Sequence, residues 1–217
     1  MAKTQTLGSG EIHAALDRLA AAISARHAST GKLLLLGIAN GGIELARRLS
    51  ARLLVLRSPE PFRQAQGPEQ VEGLVERGEG GSALDSRLST LAGTLDISFH
   101  RDDIGGNPIP KEFAPTHIPA DVNGATVILV DDVLFSGRTV KAALNELFDH
   151  GRPATVELAI LADRGGRRLP VAADYTGLTL PASDDEKVVV RLDPANPARD
   201  AIRVEAAASL RKSRVKN

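Results

Sequence analysis

Apolar residues Ile12, Leu16, Leu19 and Ile23 recur at i, i+4, i+7 and i+11, which keeps them on one helical face and predicts an amphipathic helix early in the chain. Residues 33–38 form a short continuous apolar run, the pattern of a strand buried on both faces. Ala39-Asn40-Gly41-Gly42 breaks that run, and Ala46, Leu49 and Leu53 then give a second helix its apolar stripe. The same order returns later. Residues 127–139 read Val-Ile-Leu-Val-Asp-Asp-Val-Leu-Phe-Ser-Gly-Arg-Thr: four branched apolar residues predict a buried strand that stops on Asp131 and Asp132. A turn with Ser136, Gly137 and Thr139 leads into a helix with Val140, Ala143, Leu144, Leu147 and Phe148 at helical spacing, stopped by Gly151 and Pro153. Residues 155–162 and 187–192 predict two further strands, and alternation of Leu95, Ile97 and Phe99 with Thr94, Asp96 and Ser98 predicts a half-buried one. Repeated strand–glycine turn–helix units imply an α/β fold with a parallel sheet flanked by helices.

Two stretches depart from this grammar. Residues 57–92 mix Pro59, Pro61, Pro68 and five glycines with Glu and Gln, and show no period; they read as a flexible insertion in one domain spanning residues 1–217. A long Gly/Pro-rich loop follows residue 104, and residues 205–217 read as a frayed basic tail.

Composition narrows the classes. At 217 residues with 42% hydrophobic content the chain can build a real core. A formal net charge of zero gives no bulk argument for nucleic acid or membrane. The absence of cysteine excludes disulfides, thiolate catalysis and cysteine-ligated metals. Aromatic content of 3% argues against a stacking platform for single-stranded nucleic acid. No apolar run approaches the roughly 20 residues that span a bilayer, and the N-terminus lacks a secretion signal's apolar core, so a cytoplasmic enzyme or regulator is expected. His13, His27, His117 and His150 show no metal-site clustering along the sequence.

The chemistry points to residues 131–139. Ligands of open parallel sheets sit beyond the carboxyl ends of strands, and a helix start favours a phosphate. Carboxylates beside a phosphate repel it unless they hold sugar hydroxyls or a divalent cation. A ribose 5′-phosphate with Mg²⁺ is the ligand suggested; the alternative is that the acids merely end a strand and cap a turn.

The stretch resembles the 5-phosphoribosyl-1-pyrophosphate (PRPP) signature of type I phosphoribosyltransferases. Asp96-Ile97-Ser98-Phe99-His100-Arg101-Asp102-Asp103, Asn145-Glu146-Leu147-Phe148-Asp149-His150-Gly151-Arg152-Pro153 and Leu161-Ala162-Asp163-Arg164-Gly165 are similar, in the same order, to the PyrR family of bifunctional pyrimidine-operon regulators with uracil phosphoribosyltransferase activity. The resemblance implies a type I phosphoribosyltransferase fold with a small hood formed by the termini and residues 163–192. It implies conversion of uracil and PRPP to UMP and pyrophosphate with Mg²⁺, in pyrimidine salvage. Asp131 and Asp132 would contact the ribose hydroxyls, directly or through Mg²⁺, and Val133, Leu134, Phe135, Ser136, Gly137, Arg138 and Thr139 would bind the 5′-phosphate. Asn40 and Gly41 stand in the pyrophosphate loop, where many relatives carry Thr-Arg; one charge-assisted contact is therefore missing. Arg101 would reach the pyrophosphate from a catalytic flap, and His100 stands where the family often has Tyr. Asp163, Arg164 and Val188 correspond to the base pocket, although Asp163 and Arg164 could equally pair with each other.

RNA binding is disfavoured. Asp17, Ala21, Ala172 and Leu178 occupy positions where the family uses polar or basic residues, leaving Arg167 and Arg168 as candidate contacts. A homodimer or homotetramer is implied by resemblance alone. Two alternatives stay open: a UMP- or PRPP-sensing RNA-binding regulator with weak or no catalysis, and a transferase for a purine base.

Overall fold

The computed structural model describes residues 5–57, 89–100 and 114–206. In chain order these form β1 (Gln5–Leu7), α1 (Ser9–Arg26), β2 (Lys32–Ile38), α2 (Gly41–Arg57), β3 (Ser89–Leu95), a 3₁₀ turn (Ser98–His100) and β4 (Thr126–Leu134). They continue with α3 (Arg138–Asp149), β5 (Thr155–Asp163), β6 (Tyr175–Thr179), β7 (Glu186–Arg191), a second 3₁₀ turn (Pro197–Arg199) and β8 (Ala201–Ala206).

Five strands make a parallel sheet in the order β3-β2-β4-β5-β6. The two-residue period of a strand sends successive side chains to opposite faces, and both faces are apolar here. Leu33, Leu35, Ile128 and Val130 pack with Ile12, Leu16, Leu19 and Ile23 of α1 and Leu45, Leu49 and Leu53 of α2. Leu34, Leu36, Val127 and Leu129 pack with Val140, Ala143 and Leu147 of α3. Each fully buried Leu contributes about 1.5–3 kcal/mol, so the sheet's centre is the mechanical base of the molecule. From β2 the chain adds β3 on one side, and β4 lies on the other. The order therefore reverses between β2 and β4, which opens a crevice at their carboxyl ends.

A second sheet, antiparallel and three-stranded in the order β1-β8-β7, is the hood. Val188, Ile202 and Val204 join it to the α1/α2 core. A buried ion pair also fastens it. Arg48 of α2, only 2% exposed, donates Nη1 to Asp200 Oδ2, Nη2 to the Asp193 carbonyl at 2.7 Å, and Nε to Glu44 at 2.5 Å. His13 Nε2 lies 2.9 Å from Asp200 Oδ2. Burial pushes the Asp200 carboxyl upward, but the hydrogen bonds from Arg48 and His13 outweigh it and leave its pKa below the usual value.

Several boundaries differ from the sequence reading. Of the stretch around 57–92 read as an insertion, Arg57 closes α2 and residues 89–92 belong to β3, while residues 58–88 lie outside the described residues. The alternating segment expected over 94–99 begins earlier and ends at Leu95, because Ser98 caps back onto Asp96 Oδ1 through its backbone N–H at 2.9 Å and starts a 3₁₀ turn. Glu205 and Ala206, placed in the tail, end β8. β6 lies at the edge of the main sheet, outside the hood. Phe148, expected on the buried face of α3, is 41% exposed and lies under the Arg152 guanidinium.

Replacing Arg48 by Met strands the Asp200 charge and should cost about 3–5 kcal/mol in denaturant unfolding. Arg52→Met, which breaks a pair with the exposed Asp17, should cost under about 1 kcal/mol. Equal effects of the two would show that the hood does not depend on the buried pair.

Candidate active site

The strand that carries the acid pair does not stop on it. β4 runs on to Leu134, and its pairing with β5 continues to Leu134 opposite Asp163, whereas its pairing with β2 ends at Val130 opposite Gly37. Asp131 and Asp132 thus sit where one neighbour has left the sheet and the other remains. Gly41 and Gly42 of α2 fill the space that β2 vacates.

Contact there is very close. A Cβ on Gly42 would stand 2.0 Å from the Val130 carbonyl oxygen, and one on Gly41 would stand 2.5 Å from the Asp132 carboxylate. Any side chain at either position would have to displace β4 or Asp132. The Asn40-Gly41 turn, preceded by a cis peptide between Ala39 and Asn40, is therefore seated directly against the second acid.

Asp131 is 6% exposed, and its Oδ1 accepts the backbone N–H of Asp132 at 2.9 Å. Burial, then the negative charge of Asp132, push its pKa well above the usual carboxylate value. Burial also raises the pKa of Asp132, opposed by the Val133 backbone N–H and by the positive charge of Lys187. Two carboxyls this close share a titration, and the pair favours an arriving cation or hydroxyl donor.

The turn that follows has a geometry centred on a glycine. Gly137 has φ +89°, a left-handed conformation that other residues rarely adopt. It precedes α3 and, lacking a side chain, makes no side-chain cap to the first-turn amides. Ser136 Oγ accepts the Arg138 backbone N–H at 3.3 Å, and the Ser136 carbonyl accepts backbone N–H groups of Arg168 and Leu169, both at 3.0 Å. Val133 is half-buried, Leu134 is buried, and Arg138 and Thr139 are exposed at the helix start.

Beside the acids lies a cavity of about 340 Å³ bounded by Asp132, Phe135, Arg164 and residues 187–190 of β7. Arg164 stacks on Phe135, 3.8 Å from guanidinium carbon to ring centroid, and donates Nη2 to the Ser183 carbonyl at 2.8 Å. Val188 is at this wall. Lys187, Val189, Val190 and the Phe135 ring were not expected there; alternation along β7 was the one available signal, and it does not say which face meets the site.

Asp163 and Arg164 do not pair with each other. Asp163 Oδ2 takes Arg167 Nη2 at 2.6 Å, and Oδ1 accepts the Gly165 N–H at 2.8 Å. Burial pushes the Asp163 pKa up, but the Arg167 hydrogen bond helps to bring it below the usual value. Asp163 is thus tied to its own loop and does not line the cavity. Arg167 also donates Nη1 to the Leu134 and Phe135 carbonyls at 3.1 and 3.0 Å. Its guanidinium thereby braces the turn that leaves β4. Arg168 is exposed, 3.6 Å from Asp184. Arg101 lies outside the described residues.

Comparison with known proteins agrees with this arrangement. The phosphoribosyl transferase domain model matches residues 8–195. The "Bifunctional protein PyrR" of Roseiflexus sp. (strain RS-1) is 38% identical over 203 residues, covering 93% of this chain and 94% of that protein. Its namesake from Listeria monocytogenes (serotype 4a, strain HCC23) is 40% identical over 195 residues, covering 88% and 90%. Among solved structures, a hypoxanthine phosphoribosyl transferase of Trypanosoma cruzi superimposes with a TM-score of 0.57 at 17% identity, covering 100% of this chain and 96% of that one. One from Bacillus anthracis, hypoxanthine-guanine specific by name, gives 0.51 at 16% identity, covering 86% and 88%. At such identities the structural likeness concerns the fold. Over nearly its whole described length, therefore, the chain belongs to the phosphoribosyltransferase family and, within it, to the PyrR branch.

Proposed function

We propose that the chain is a uracil phosphoribosyltransferase, joining uracil to the ribose 5-phosphate of PRPP to give UMP and pyrophosphate. The observation that carries this reading is the convergence, on one strand end, of two buried acids, a glycine turn against them, an uncapped helix start and an adjoining cavity. Those four parts match the ribose, pyrophosphate, 5′-phosphate and base of the reactants.

In the reaction the C1′–O bond to pyrophosphate breaks, the bond from C1′ to uracil N1 forms, and N1 loses its proton. Positive charge develops on the ribose, as in glycoside chemistry. Asp131 and Asp132 would accept hydrogen bonds from the 2′- and 3′-hydroxyls and favour that charge. The amides of residues 135–139 would hold the 5′-phosphate. The Asn40-Gly41 turn would offer backbone groups to the pyrophosphate, and Arg101 is proposed to add a cation to it. Asp131 and Asp132 form the all-oxygen set that Mg²⁺ prefers; that ion would neutralise charge on the departing pyrophosphate.

For the base, the Val188 backbone and the Arg164–Phe135 stack form one wall, and Lys187 brings a cation near Asp132. Uracil offers one imide donor and two carbonyl acceptors, a pattern that strand-end backbone groups can read. The relatives' name, bifunctional, keeps a regulatory RNA role in view. Arg167, one of its two candidate contacts, is committed to internal partners, which supports the catalytic reading.

Incubation with Mg²⁺-PRPP and each base in turn should yield UMP from uracil. IMP or GMP from a purine instead would transfer the assignment to the purine class, and no nucleotide together with UMP-dependent shift of pyrimidine-operon leader RNA would favour the regulator. Asp131→Asn and Asp132→Asn should each lower kcat/KM at least tenfold, or about 1.4 kcal/mol.

The Asn variants should also melt higher than the parent at neutral pH without ligand. A carboxyl whose folded pKa is raised loses stability as pH climbs from its unfolded value through the folded one. The gain should shrink toward the ordinary carboxylate range, where the acid is protonated in both states. A thermal melt series across pH checks the sign; a gain that grows on acidification would contradict the buried pair. Gly41→Ala, which drives a Cβ toward Asp132, should lose at least tenfold in kcat/KM with the fold retained by circular dichroism.

A further inference from the structure

At the far end of α3 from the phosphate turn, about 18 Å away at the rise of an α-helix, a second set of ionisable side chains converges. Glu146, Asp149 and His150 fall at i, i+3 and i+4, one face of the helix's last turn. His100, from the 3₁₀ turn after β3, closes the group. Its Nε2 lies 3.1 Å from Glu146 Oε2 and 3.3 Å from Asp149 Oδ2. His150 Nε2 lies 3.1 Å from Glu146 Oε1. A tetrahedral ion with bonds of about 2.0–2.1 Å sets its ligand atoms roughly 3.3 Å apart. The ligand atoms of His100, Glu146 and Asp149 all fall within 4.8 Å of one another.

We propose that His100, Glu146 and Asp149 bind a divalent transition-metal cation of the Zn²⁺ type, with water completing its coordination. One imidazole nitrogen and two carboxylates are a donor set suited to Zn²⁺ and less suited to Mg²⁺, which takes oxygen ligands. The two carboxylates supply formal charge that balances a divalent ion, and the carbonyl end of a helix favours positive charge. The first ligand is already oriented. Thr116 donates its hydroxyl to Glu146 Oε1 at 2.5 Å and in turn accepts the Asp96 backbone N–H at 2.9 Å. Such hydrogen bonds behind a ligand fix its direction and raise metal affinity. Among the described residues this is the one His/acid group of three or more with metal-ligand spacing. It uses none of the residues proposed for catalysis.

Isothermal titration of EDTA-stripped protein with ZnCl₂, in excess MgCl₂, should show one site per chain. CoCl₂ should give a visible absorption band that Zn²⁺ quenches. His100→Ala and Asp149→Asn should each weaken Zn²⁺ at least tenfold, with thermal melts of the stripped proteins showing that both fold. Since Asp149 is largely exposed, its variant tests the site even where loss of His100 disturbs the turn. Asp131→Asn should bind Zn²⁺ as the parent does. Absence of binding, equal binding by parent and both variants, or loss of binding in Asp131→Asn would each overturn the site.

Discussion

The approach of two backbones at Gly41 and Gly42 is the constraint on which the site rests. α2 begins so close to the end of β4 that its first turn touches the Val130 carbonyl, and glycine alone has the room. Gly37 of β2 is under the same pressure: a Cβ there would meet the Gly42 carbonyl at 2.5 Å. Three segments are thereby locked at one point, and the turn after β2 is delivered onto Asp132. The glycine turn of residues 135–137 leaves the same strand a few residues later. Spacing between the parts is consequently set by strand geometry, with few degrees of freedom left to loops.

Electrostatics at this point are unfavourable to the protein alone. Two acids are buried side by side, and nearby arginines are turned to other work: Arg167 to Asp163 and the carbonyls under the phosphate turn, Arg164 to the Phe135 ring. Such an arrangement costs stability and is returned when a ligand supplies positive charge or hydroxyl donors. The apolar sheet beneath it carries that cost. On the proposed reading, the missing loop cation at Asn40-Gly41 places more of the pyrophosphate's neutralisation on a bound metal and on Arg101.

The hood links the stability of the fold to the shape of the cavity. β7 contributes one wall of the cavity, yet β7 pairs only with β8, and β8 is preceded by Asp200, which Arg48 and His13 fasten to α2 and α1. A wall held through one buried ion pair keeps its position relative to the acid pair as long as that pair survives. On the proposed reading, base discrimination would depend on the same residues that hold the fold together.

Much was legible in the linear order of residues. Apolar runs at 33–38, 127–130 and 155–162 identified the central strands, because strands covered on both faces need no polar alternation. Helical spacing located α1, α2 and α3, and the acid pair followed by a glycine- and hydroxyl-bearing turn marked the site. Short or polar strands were not legible: β1 has three residues and pairs with β8 from the other end of the chain, and β6 is a five-residue edge strand. Tertiary structure alone decided which partners charged side chains took. It gave Arg167 to Asp163, Arg48 to Asp200, and His100 and His150 to one carboxylate, because ion pairs form between groups that folding brings together, whatever their separation in sequence. Local chemistry thus singled out one strand end as the candidate site, and long-range packing settled what surrounds it.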